Sequence, residues 1–313
     1  MSFILLGILN SQAAAGGAPT FPAVAGYVAG GNEGSEVSTV DKFAFPSDTR
    51  TTLGTGLSSA RRLSSGFFNP SIAGYVAGGD TGSPSATVDK FAFPSDSRST
   101  TTSLSIARQL HSGFSNPSVA GYVAGGYDNS NNLLSSVEKF TFPADSRTTL
   151  GTGLNTAREG DPAGFENYAV AGYIAGGFAS TFLSSVEKFA FPSDTRTTLA
   201  TGLSTGTAIF AGFSNSGVAG YAAGGLTGAG EVDTVDKFAF PSDTRTTLGT
   251  GLSSARNNVA GFGSSSVAGY VAGGGGTGSR VSTVDKFAFP SDTRSSTTSL
   301  SSNRSQMAGF QNA

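Results

Sequence analysis

The sequence predicts an all-β protein, a six-bladed β-propeller of four-stranded blades, closed by the C-terminal strand completing the first blade. Three observations carry this expectation. One unit recurs six times, each copy resolves into four stretches of strand length, and the phase of the repeat is broken in complementary ways near the two ends of the chain.

The unit is marked by Gly-Tyr, then an apolar residue or Ala, then Ala-Gly-Gly. The marker tyrosines are Tyr27, Tyr75, Tyr122, Tyr173, Tyr221 and Tyr270, spaced 47 to 51 residues apart. Every copy continues in the same order: a variable Gly/Ser/Asn loop, then T-V-D-K-F-A-F-P-S-D-T-R or a near variant, then T-T-L-G-T-G-L or S-T-T-T-S-L, usually S-x-A-R, and finally A-G-F or S-G-F.

Four strands follow from this. Strand A lies around Gly-Phe, as at Gly113-Phe114. Strand B is Ala-Gly-Tyr-Val-Ala-Gly-Gly, strand C is Thr-Val-Asp-Lys-Phe-Ala-Phe, and strand D is Arg-Thr-Thr-Leu-Gly-Thr-Gly-Leu. Each is rich in β-branched or aromatic residues and bounded by Gly, Pro, Asn, Ser or Asp, and no stretch of the repeats sustains a helical period. Strand C ends at Pro46-Ser47-Asp48, where proline fixes φ and the aspartate can bond nearby backbone.

The first unit starts at strand B, since no Gly-Phe precedes Gly26, and the chain finishes on an extra strand A at Met307-Ala308-Gly309-Phe310. A ring closed by that last strand leaves no open sheet edge. Eighteen of the 24 phenylalanines and six of the eight tyrosines fall at repeat positions, which makes them the expected core between blades.

In its order of an apolar strand, apolar-Tyr-apolar-x-Gly-Gly, Val-Asp/Glu-x-Phe and a closing arginine, the unit resembles the kelch repeat, over residues 20–313. The tryptophan usual on the fourth strand of kelch units is missing, and Leu53, Leu104, Leu150, Leu199, Leu248 and Leu300 are read as its apolar substitutes.

Composition narrows the function. A net charge of −2 with scattered acids and bases offers no basic stripe for nucleic acid or an anionic membrane, and the absence of cysteine removes disulfides, thiolate nucleophiles and Cys-based metal sites. His111 is the single histidine and is expected to be exposed and structural. The six pairs from Asp41-Lys42 to Asp285-Lys286 are expected to form blade-to-blade ion pairs or solvated edge charges, because a catalytic pair would occur once. Asp48 and Arg50, with their counterparts, are expected to order the C–D turn. Gly273, Gly275 and Gly278 fit G-x-G-x-x-G without a following helix, so the match carries no nucleotide reading. The oxygen-rich loop 127–132 lacks the spacing of a calcium loop. No cofactor, metal or catalytic centre is expected, the nearest to an acid/base set being His111, Glu159 and Asp161.

Variation among the six copies is concentrated in the B–C loops and in the approaches to strand A, which an antiparallel blade places on one face of the disc. On that face Tyr127, Asp128, Leu133, Leu134, Phe178, Phe182 and Arg280 are the candidate partner-binding residues, the apolar ones because loops do not ordinarily need them.

Residues 1–19 are unlike the rest. Phe3, Ile4, Leu5, Leu6, Ile8 and Leu9 form an apolar stub without a preceding Lys or Arg, too short to cross a membrane. The stretch MSFILLGILNSQAAAGG resembles the leaders of virion structural and tail-fibre-like proteins of marine bacteriophages. That resemblance implies a leader docked on other virion proteins and a propeller displayed on the particle, attaching to neighbouring subunits or to a host glycan or protein. A bacterial surface or secreted kelch-like lectin or adhesion module is the alternative.

Overall fold

The computed structural model describes residues 24–276 and 278–312, in which the chain forms six four-stranded antiparallel blades arranged as a β-propeller. Within blade 2 the strands run Ser65–Asn69 (A), Ala73–Ala77 (B), Val88–Ala92 (C) and Ser97–Thr100 (D), in that spatial order. Phe67 lies opposite Tyr75, Tyr75 opposite Lys90, and Phe91 opposite Arg98. The same register recurs in every blade. Blade 1 draws its strand A from the far end of the chain: Ala308–Asn312 pairs antiparallel with Ala25–Ala29, Phe310 facing Tyr27, and Val40–Ala44 and Thr49–Thr52 complete it.

The six strands A meet around the axis, and one glycine in each sets how closely. A methyl on Gly66 would come within 2.1 Å of the Gly309 carbonyl oxygen. On Gly113 it would lie 2.3 Å from that of Gly66, on Gly164 2.0 Å from Gly113, and on Gly212, Gly261 and Gly309 2.0–2.1 Å from the preceding glycine of the ring. Only hydrogen fits at these points. A second glycine, the one beside the tyrosine of strand B, leaves room for the phenylalanine of the neighbouring blade: a methyl on Gly121 would lie 1.9 Å from the Phe67 ring.

Outward from the glycines the wedge between blades fills with stacked rings. Phe67 stacks on Tyr75 of its own blade at 4.7 Å and on Phe140 of blade 3 at 5.4 Å, while Tyr75 stacks on Phe142 at 5.4 Å. Phe310 takes the same place in blade 1, stacked on Tyr27 at 4.8 Å and on Phe91 of blade 2 at 5.8 Å. Each such ring, fully buried, contributes about 1.5–3 kcal/mol from area alone.

Polar groups then bind blade to blade. The Tyr75 hydroxyl donates to Asp145 of blade 3 at 2.7 Å and the Lys90 ammonium to its other oxygen at 2.6 Å. The series closes on itself, with Tyr270 at 2.7 Å and Lys286 at 2.6 Å both donating to Asp48. The turn aspartate thus serves the preceding blade, where the sequence suggested it orders its own turn. Asp48 sits at φ 54° and Asp145 at φ 53°, in the left-handed region.

In five of the six Asp/Glu-Lys pairs the acid has a separate partner. The arginine of S-x-A-R, fully buried, reaches the strand C acid of the next blade: Arg61 to Asp89 at 2.8 Å, Arg108 to Glu138 at 2.6 Å, Arg158 to Glu187, Arg256 to Asp285 at 2.8 Å and Arg304 to Asp41 at 2.5 Å.

Strand D ends earlier than the sequence pattern suggested, at Thr52 in blade 1. The leucine that is buried, packed in blade 1 against Gly30 at the end of strand B, is correspondingly the later one. Leu57, Leu104, Leu154, Leu203, Leu252 and Leu300 are buried, whereas Leu53, Leu150, Leu199 and Leu248 are half-buried. The six-leucine set read from sequence mixed these two positions, because the second and sixth copies lack the earlier leucine.

The glycine ring is testable by adding one methyl. Gly164→Ala should lower stability by about 1–3 kcal/mol or more through overpacking against the Gly113 carbonyl. Gly151→Ala, where nothing lies within 4 Å of the added carbon, should leave stability unchanged or raise it by about 0.4–1 kcal/mol. Urea unfolding of the two variants measures the contrast, and equal midpoints would contradict the close approach.

Candidate functional site

Because the repeated charges are taken up in junctions, candidate function falls on what differs from blade to blade. The B–C loops and the approaches to strand A do share one face. Backbone bridges join them within each blade: Asn32 with Ser305, Arg62 with Asp80, Gln109 with Tyr127, Glu159 with Phe178, Ala208 with Leu226, and Asn257 with Gly275.

On blade 3, Tyr127 is half-buried. Its backbone pairs with Gln109 and Leu133, and its hydroxyl accepts a hydrogen bond from the Gln109 amide. Burial, then the charge of Glu159, push the Tyr127 phenol above its ordinary range. Asp128 is used up locally. Its carboxylate accepts the backbone N–H groups of Ser130 at 2.8 Å and Asn132 at 2.9 Å and the Asn132 side chain at 3.1 Å, and these bonds hold its pKa down. Leu133 and Leu134 are half-buried beside it.

On the adjoining blade 4, Phe178 and Phe182 pair across the loop by backbone and meet edge to face, ring centroids 5.2 Å apart at 69°. Arg280 is exposed at the end of a short hairpin on blade 6, Gly275–Gly276 with Ser279–Arg280. The structure therefore sets the Tyr127 and Phe178 loops on neighbouring blades and puts Arg280 on blade 6, three blades from the first and two from the second. The apolar stub from Phe3 to Leu9 lies outside the described residues. No cluster of three His, Cys, Asp or Glu side chains suited to a metal occurs among the described residues.

At the centre of this face the approaches to strand A form a closed collar of backbone hydrogen bonds. Leu63 donates to Gln306 at 2.9 Å, Leu110 to Leu63 at 3.1 Å, Asp161 to Leu110 at 3.3 Å, Ile209 to Gly160 at 2.6 Å, Asn258 to Ile209 at 2.9 Å, and Gln306 to Asn258 at 2.8 Å. The six donors all have positive φ, from 37° to 64°, although none is glycine. These six places hold five different residue types, Leu recurring only at 63 and 110, so nothing in the repeat marks the motif.

The collar opens into an axial channel of about 100 Å³, lined among others by His111, Asp161 and Glu166. His111 is buried, contrary to the exposure expected of it. Its ring packs against Gly78, Nε2 sits 3.1 Å from the Ala77 carbonyl, and burial together with the nearby Arg108 charge pulls its pKa down to about 3. It is a neutral packing residue.

Glu166 was not singled out by sequence. It occupies the strand A position held by Phe68, Ser115, Ser214, Gly263 and Gln311 in the other blades, a place that faces the channel and the preceding blade. Burial pushes its carboxyl up to about 7, against the opposing effect of donors from Ser214 and the Ser115 backbone. Asp161 is pushed to about 8 by burial and then by Glu159.

The opposite face carries a second feature missed in the sequence. Ile72, Val119, Val170, Val218 and Val267, one per A–B turn, stand 45–52 % exposed.

A raised carboxyl pKa in the folded chain means that stability is greatest at low pH and is lost as pH climbs through about 7. Glu166→Gln should therefore raise the melting temperature at pH 8 while leaving it nearly unchanged at pH 5. Melting curves at both pH values test this, and an equal shift at each would assign the effect to packing.

The chain matches no family model, and no curated protein matches it.

Proposed function

We propose that the chain is a non-catalytic display module, a kelch-like propeller carried on the surface of a bacteriophage particle. Its leader docks on other virion proteins, and the variable face attaches to neighbouring subunits or to a host glycan or protein.

One observation supports this reading above the others. Repeated polar side chains are directed into the junctions between blades, while differences between copies are collected on one face around a hydrogen-bonded collar. A rigid ring whose differences are concentrated in the loops of one face has the form of a binding scaffold.

The channel within the collar, at about 100 Å³, is below the about 300 Å³ at which small-molecule pockets begin. Half-buried aromatic rings at Tyr127, Phe178 and Phe182 on adjoining blades supply the kind of anchor that interfaces use. The virion assignment is supported by the apolar stub Phe3 to Leu9 and its resemblance to phage leaders.

Separating the two roles tests the reading. Removal of residues 2–17 should yield a folded propeller that no longer enters particles. The double substitution Phe178→Ser with Phe182→Ser should enter particles normally while adsorption to the host falls at least several-fold. Particle composition by mass spectrometry and adsorption rates are the readouts. Normal incorporation of the leaderless chain would remove the virion anchor and leave the secreted lectin or adhesion module. Unchanged adsorption of the double variant would remove the face.

A further inference from the structure

Five of the six junctions contain the buried arginine of S-x-A-R, and the junction from blade 4 to blade 5 does not. There the motif reads Ser204-Thr205-Gly206-Thr207, and Thr207 stands where the other copies have Arg61, Arg108, Arg158, Arg256 and Arg304. Its hydroxyl turns back to the Thr205 carbonyl at 2.9 Å.

The groups that receive the guanidinium elsewhere are all retained. At the next junction Arg256 donates to the Gly273 carbonyl at 2.9 Å, the Val271 carbonyl at 3.4 Å and Asp285 at 2.8 Å. At an earlier one Arg108 reaches the Gly125 carbonyl at 3.0 Å, the Ser136 hydroxyl at 3.0 Å and Glu138 at 2.6 Å. The counterparts of these acceptors in blade 5 are Gly224, Ala222, Thr234 and Asp236, and all four line a cavity of about 210 Å³. Ala222 widens it further, since the other five blades carry Val or Ile at that position.

Asp236 is 4 % exposed, whereas the strand C acids of the five other blades are fully buried under their arginines. Its Oδ2 accepts the backbone N–H and hydroxyl of Ser204 at 2.7 and 2.8 Å, the same two donors that Ser253 gives Asp285, but without the third, cationic partner. The Arg245 contact at 3.4 Å does not replace that partner, because an equivalent outer arginine lies 3.6 Å from Asp285, which also has Arg256. Ser204, Thr205 and Ala229 at the cavity edge are exposed, so it opens to solvent beside the B–C loop of blade 5, on the variable face.

We propose that this junction is a binding site for a guanidinium group, supplied by a molecule other than the ring itself. Its donors would meet the Asp236 carboxylate and the Gly224 and Thr234 oxygens as the arginine donors do at the other junctions. A buried carboxylate flanked by carbonyl and hydroxyl oxygens favours the planar, multiply donating guanidinium over a compact ammonium. The site lies on the face assigned above to partner attachment, but its chemistry is independent of that assignment.

Calorimetric titration of the full chain with ethylguanidinium, agmatine, ethylammonium and a short peptide with a central arginine tests the site. Saturable binding of ethylguanidinium is expected, with ethylammonium about tenfold weaker. Asp236→Asn should lose the binding. Thr207→Arg, which returns an arginine from within the chain, should abolish binding and raise the melting temperature by several degrees.

If the peptide binds as well as agmatine, the group is an arginine side chain presented by a protein. If agmatine binds and the peptide does not, it is a free small molecule. Absence of saturable ethylguanidinium binding by the parent, undiminished binding by Thr207→Arg, or a lowered melting temperature in that variant would overturn the proposal. None of these outcomes depends on particle incorporation, so failure here is distinguishable from failure of the virion reading.

Discussion

The close approach of six inner strands at six glycines is the constraint from which the rest of this molecule follows. With a carbonyl oxygen 2.0–2.3 Å from where each Cβ would be, the radius of the ring is set by backbone and not by side chains. Flat sheets that touch at the axis must diverge outward, and the chain fills the resulting wedges in layers. Nearest the axis the Phe of strand A lies against the strand B glycine of the neighbouring blade. Beyond it come Tyr of strand B and the two Phe of strand C, with leucine and paired charges completing each junction. Because every wedge has the same shape, one sequence unit solves all of them, which is why the copies are so alike where they touch.

The polar part of each junction is arranged by the same geometry. A Lys ammonium and a Tyr hydroxyl share one aspartate, and the ammonium also stands 5.4–5.5 Å over the centre of the tyrosine ring. Burial, then the bonded aspartate, raise the tyrosines well above their ordinary pKa, so these phenols stay neutral donors. The buried arginines carry a desolvation cost that isolated ion pairs rarely offset. Here each guanidinium is also given backbone carbonyls, as Arg158 is by Gly176 at 2.8 Å and Thr156 at 3.2 Å. Against that pattern the junction at Thr207 stands out, because it keeps the acceptors but not the arginine that meets them elsewhere.

Fold was legible in the sequence because repetition exposes it: recurring Gly-Tyr and Phe-x-Phe give strand number and order, and the displaced Gly309-Phe310 gives the closure, seen as Phe310 opposite Tyr27. The site was legible only in outline. That the variable loops share a face follows from strand direction alone, but burial does not. His111 sits between Leu110 and Ser112 in sequence and is enclosed because its ring lies against Gly78 of the neighbouring loop. Glu166 differs from its five counterparts by one letter in a strand, and its importance depends on the channel that the strand lines. The missing arginine at Thr207 was visible in the repeat, yet it gains meaning only when the other five are seen buried on Asp89, Glu138, Glu187, Asp285 and Asp41.

Closure by the last strand is the claim on which the ring stands. Its most direct test is the equilibrium unfolding and amide hydrogen exchange of a chain ending at Gln306. This shortened chain is expected to lose protection along Ala25–Ala29, where Ala308–Asn312 no longer pairs, and to unfold at markedly lower denaturant or aggregate through the exposed edge. An unfolding midpoint and strand protection equal to those of the full chain would contradict it.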